Sequence, residues 1–119
     1  MNEIMMNGLQ RYLGKLPQFA QDQFVMLSSF FMEQFAFEPL YIDGSPAFRK
    51  GGLILRVGLF SDHTNLFVRG SLHVTHFFNA SQLTPKGMVQ CFYRDPFPRE
   101  TVTQWITAEL NALPECSNL

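Results

Sequence analysis

Residues 16–37 read LPQFAQDQFVMLSSFFMEQFAF, and no other segment limits the fold as strongly. Phe19, Ala20, Phe24, Leu27, Phe30, Phe31 and Phe35 recur every three or four residues, a spacing that predicts a helix. Pro17 suits its first turn, where a fixed φ fits and the missing N–H is not needed. The helix has to end before Pro39, because the residue ahead of a proline is pushed out of the helical region. Val25, Met26, Met32 and Ala36 spill onto a second face. A helix this apolar on more than one side needs cover on more than one side. It is therefore either the central helix of a domain or part of a contact between copies.

The chain holds 13 Phe against one Trp and three Tyr. Phenylalanine brings large buried area without a polar handle, and that many rings exceed what one small core is expected to hold. A self-associating chain, most simply a homodimer, is the resulting expectation. Phe24, Phe30, Phe31 and Phe35 are the candidate interface residues, with a free strand edge as the other route to a partner.

Ahead of that helix, Met5, Leu9, Tyr12 and Leu13 keep helical spacing, while Gly8 and Gly14 weaken it, so residues 1–14 read as a short helix or a loosely helical arm. Beyond Pro39 the period changes to two. PLYI is a short strand, DGSP is turn chemistry, and Lys50-Gly51-Gly52 is a flexible corner. LILRVGLF (53–60) sets Leu53, Leu55, Val57 and Leu59 against Ile54, Arg56, Gly58 and Phe60 on the other face. SDHT turns the chain, and NLFVRGSLHVTHFF is expected to return as one long strand, with Gly70 as a bulge or bend. MVQCFY (88–93) is the last strand. The segment PRETVTQWITAELNAL closes the chain as a helix with Val102, Trp105, Ile106, Leu110 and Leu113 on one stripe and Pro114 as its stop. The expected fold is a single α+β domain over 1–119: an antiparallel meander of three to five strands, one or two N-terminal helices and one C-terminal helix.

With 119 residues, 46% of them hydrophobic and 16% charged, the chain has the length and apolar content for one folded core. A net charge of −1 offers no global basic field, so nucleic acid is not an expected partner. The N-terminus lacks a basic region followed by an apolar core, and no apolar run reaches about 18 residues. A soluble, cytoplasmic protein without membrane attachment is expected. Cys91 and Cys116 form no disulfide framework, and reduced thiols fit that compartment better than a bridge.

His73 and His76 stand three apart in SLHVTHFF. On a strand, three residues reverse the face and set the Cβ atoms about 10 Å apart. One zinc ion binds nitrogens at about 2 Å, so the pair is read as two separate imidazoles and no metal is expected. His76 is read as a core histidine beside Leu72, Val74 and Phe78. A hairpin centred on Asp62-His63 puts Gly58 opposite Phe67, whose ring covers the missing side chain, and Arg56 opposite Arg69. Like charges placed directly opposite destabilise a ladder, so a carboxylate, water or bound anion is expected to compensate. Arg56, Arg69, Ser71 and His73 thus form a candidate binding patch for an acidic group, on a face that antiparallel sheets otherwise leave solvated.

No catalytic constellation stands out. Cys91 lies mid-strand as a packing thiol, Lys50-Gly51-Gly52 is no phosphate loop, and the acidic residues are scattered. No cofactor is implied. The sequence therefore points first to a non-enzymatic interaction or regulatory protein that self-associates and binds a protein partner. The second reading is a small-anion-binding or weakly catalytic protein that uses the polar sheet face.

Overall fold

The computed structural model describes residues 1–113. Two helices, α1 (Glu3–Gly14) and α2 (Gln18–Phe35), precede the strands β1 (Glu38–Ile42), β2 (Ser45–Lys50), β3 (Leu53–Leu59) and β4 (His63–Val68). A single helical turn, α3 (Val74–Phe77), and a 3-10 turn at Ala80–Gln82 lead to β5 (Val89–Phe92), and α4 (Arg99–Asn111) follows. The strands form one antiparallel sheet in the order β1-β2-β3-β4-β5. The α+β meander expected from the change of period is the fold.

Local chemistry explains most boundaries. The Asn2 side chain accepts from the Met5 N–H at 2.8 Å and starts α1. Helix α2 stops at Ala36, which takes a left-handed φ of 58°. The Ala36 and Phe37 N–H groups then bond back to Met32 and Phe31 in a Schellman closure. The β1–β2 hairpin turns on Asp43 and Gly44, with φ of 51° and 79°. Both positive values are what a two-residue type I′ turn requires. At the start of the chain the structure is firmer than a loose arm. Leu9 is buried, Gly8 lets the Tyr41 ring come within 2.7 Å of where a Cβ would stand, and the Tyr12 hydroxyl accepts from the Leu59 N–H at 2.9 Å.

Leu53, Leu55, Val57 and Leu59 of β3, with Thr64, Leu66 and Val68 of β4, point inward and are buried. One apolar cluster joins them to Leu9, to Phe24, Phe30, Phe31 and Phe35 of α2 and to Val102, Trp105 and Ile106 of α4, while Phe19, expected on the same face, is 54% exposed. The rings fit by meeting mostly edge-on or tilted. Phe31 lies 5.3 Å from Phe48, 5.2 Å from Phe30 and 5.9 Å from Phe37 between ring centroids. This packing corrects the interface expectation: Phe24, Phe30, Phe31 and Phe35 are 8%, 4%, 0% and 8% exposed inside the chain's own core. Their number no longer argues for a second copy.

The largest departure from expectation lies after β4. Gly70, at a φ of 74°, ends the strand, so residues 71–78 are not pleated. The Ser71 hydroxyl accepts from the Val74 N–H at 3.2 Å and from the Trp105 indole N–H at 3.3 Å. Val74 and Phe78 are buried, the latter edge-on to Trp105 at 5.6 Å. Tertiary contacts to Trp105 thus override the β propensity of Val74, Thr75, Phe77 and Phe78. His76 is exposed, not a core histidine, and Leu72 is 81% exposed. No described helix is long and apolar enough to cross a membrane.

Candidate functional site

The outward face of the sheet is built in rows, because directly paired residues point the same way. Leu40, Ala47, Arg56 and Phe67 form one row across β1 to β4, and Gly58, Asn65 and Gln90 form another across β3 to β5. The β3–β4 register is shifted by two from the expected one: Arg56 faces Phe67, and Gly58 faces Asn65. The hairpin turns on Ser61-Asp62 because Phe60 and His63 pair across it. The Phe60 N–H bonds to the His63 carbonyl at 2.9 Å, and the two rings stack at 4.5 Å. Phe60 also covers Gly58, with a ring carbon 3.3 Å from the position of an added Cβ, a role expected of Phe67. Arg69 lies beyond the end of β4, and no like-charged pair exists in the ladder.

Arg56 does acquire a compensating carboxylate. Its Nη2 donates to the Ile42 carbonyl and to Ser45 Oγ at 3.3 and 3.2 Å, and Nη1 lies 3.6 Å from Asp43. The Asp43 carboxylate is exposed, so the pair is screened by solvent. Its main effect is to hold the guanidinium flat against the β1–β2 turn.

This face is concave, with a cavity of about 850 Å³. The outward sides of β3 and β4 form its floor, the β1–β2 turn lies on its border, and Gly70 to His73 and the last turn of α4 supply further wall. Ile54, Phe60, Phe67, Leu72 and Met88 give it an apolar surface. Arg56, Arg69 and His73, three of the four residues expected to form a patch, all line it. Ser71 does not line it. Its hydroxyl is occupied by Val74 and Trp105, which makes it a structural clasp and not a ligand group. Arg69 and His73 have no ion-pair partner within 4 Å among the described residues.

A further wall residue, Glu109, has no counterpart in the sequence expectations. It is only 6% exposed, and its Oε1 has no hydrogen-bond partner among the described residues. The signal was present: Glu109 stands three residues after Ile106 and four after Trp105, on the buried stripe of α4.

The histidine pair is a correction in geometry. One helical turn sets the His73 and His76 rings 5.9 Å apart between centroids, where a strand would separate them widely. No group of three or more metal-ligating side chains placed to hold an ion occurs among the described residues.

Two other polar features do not line the cavity. His63 Nδ1 is 2.6 Å from Asp62 Oδ1, and that hydrogen bond holds the exposed Asp62 carboxyl below its usual range. The His63 ring lies against Phe60 and Phe92, so the arrangement locks the β3–β4 turn. Burial pushes the Cys91 thiol up to about 12, which leaves it protonated and unreactive at neutral pH. Pro114 and Cys116 lie outside the described residues.

No protein-family model, curated protein or solved structure matches the chain.

Proposed function

We propose that the protein is a non-enzymatic binding module whose concave sheet face takes a small amphipathic anion. One observation carries the reading. Two arginines and a histidine, from β3, the end of β4 and the following loop, line a single apolar concavity of about 850 Å³. That volume falls within the range of small-molecule sites, about 300–1,000 Å³, and an apolar wall with few polar groups is their usual composition. Arg69 supplies the main attraction, since its charge is unpaired among the described residues. Arg56 adds a fixed positive charge, partly offset by Asp43. The apolar body of the ligand rests on Ile54, Phe67 and Met88.

Anilinonaphthalene sulfonate, an apolar fluorophore with one fixed negative charge, is a direct probe. Saturable one-to-one binding to the native protein is expected, with a blue-shifted emission. Arg69→Ala is expected to weaken it about fivefold or more, and the uncharged analogue phenylnaphthylamine should bind less well than the sulfonate. Absence of saturable binding, or equal affinity in Arg69→Ala, would overturn the reading.

A further inference from the structure

Two buried side-chain oxygens lack a hydrogen-bond partner among the described residues, Asn65 Oδ1 and Glu109 Oε1. Both residues line the same concavity. Buried polar groups are nearly always paired, and an unpaired carboxylate is the most costly of them to bury. The Asn65 amide is also weakly held at its other end, where Nδ2 reaches only the Met88 sulfur at 3.9 Å. Meanwhile Arg69 and His73 line the cavity without neutralising Glu109, since neither approaches it within ion-pair distance. Apart from the Arg56–Asp43 pair, the cavity wall therefore presents Arg69 and Glu109, neither of them paired among the described residues. A plain anion satisfies the cations and leaves Glu109 orphaned. A plain amine does the reverse.

Resting on the anion-binding reading above, we infer that the ligand is an amphipathic zwitterion of short-peptide size. Its carboxylate lies at Arg69 and its ammonium donates to Glu109. The cavity exceeds the needs of one amino acid, and Ile54, Phe67, Leu72 and Met88 supply apolar surface for side chains. Charge-assisted hydrogen bonds at both ends would fix the ligand's direction as well as its affinity.

The experiment compares three forms of one probe by calorimetry: free leucyl-phenylalanine, its N-acetyl form without the ammonium, and its C-terminal amide without the carboxylate. Wild type is expected to bind the free dipeptide at least tenfold more tightly than either blocked form. Glu109→Gln should bring the free dipeptide within about threefold of the N-acetyl form, while leaving the N-acetyl affinity unchanged. Equal wild-type affinity for the free and N-acetyl forms overturns the inference, and this comparison needs no variant to fold. Displacement of the naphthalene sulfonate by none of the three also overturns it, while leaving the anion site standing. Failure of the sulfonate itself to bind removes the anion site and this inference together.

Discussion

The two faces of the sheet come from the same strands and the same alternation, yet they differ in closure. On the inward face Leu55, Val57 and Leu66 are 0–1% exposed, sealed by α2 and α4. On the outward face Ile54 and Phe60 are 37% and 45% exposed, and Leu72 on the wall beside them is 81% exposed. A one-residue slip would exchange the two sets, so the inward face fixes the register. The outward face, relieved of that task, leaves apolar area exposed, and Arg69 at its edge stands without an ion-pair partner among the described residues. Apolar surface inside is stability; the apolar surface left outside, in a concave patch with charged neighbours, is what the proposed binding role rests on.

The sharpest way to break this contrast is to truncate one side chain from each face. Phe31→Ala is expected to cost about 3–5 kcal/mol in chemical denaturation, the range for emptying a ring from a packed core. Leu72→Ala should stay within about 0.5 kcal/mol of wild type, as exposed substitutions do. A comparable loss at both positions would show that the outward side is also part of the sealed core. A smaller effect is expected at Ser71, which ties the two regions together. Ser71→Ala leaves the buried Trp105 N–H without its acceptor, and stability should fall by about 1–3 kcal/mol. Dye affinity measured well below the melting temperature should survive that change, because Ser71 does not line the cavity.

Cys91 tests closure of the inward face at the last strand without changing the protein at all. Its thiol is held protonated by burial, with a pKa near 12. The raised value means that the thiolate is absent at pH 8 in the folded state and appears as the chain unfolds. Alkylation by iodoacetamide at pH 8 should be slower by orders of magnitude in native protein than in denaturant. Rapid labelling of Cys91 under native conditions would show an inward face that opens at β5.

Much of this architecture was legible in the residues. The switch of period at Pro39, the Asp43-Gly44 turn and the stripe on α4 each have a local cause, so helices, strands and meander followed from them. What failed needed tertiary information. Residues 71–78 carry strand-forming residue types, and only the clasp of Ser71 and Phe78 on Trp105 turns them into a helical turn. The β3–β4 register was misplaced by two because the Phe60–His63 stack, not the polar dipeptide Asp62-His63, decides where the hairpin closes. The sequence leads one to expect more rings on α2 than one core can hold, but tilted and edge-on packing accommodates Phe24, Phe30, Phe31 and Phe35, while Phe19 stays 54% exposed. Arg56, Arg69 and His73 line one cavity, although cross-strand pairing of the two arginines is not what places them there. Glu109 is not legible as a cavity residue, because a carboxylate on an apolar stripe reads as an interruption of that stripe.

The strict chain-order pairing β1-β2-β3-β4-β5 has a kinetic consequence. The first three pairings, β1 with β2, β2 with β3 and β3 with β4, each close across a short turn, so closure entropy is met in small instalments, while β5 returns to β4 only after residues 69–88. Hairpins can zip one after another on the microsecond scale. The slow event is expected to be the return of α4, whose Trp105 must reach back to Ser71. A refolding experiment following indole fluorescence should therefore report the last step, after the amide signal of the ribbons has already settled.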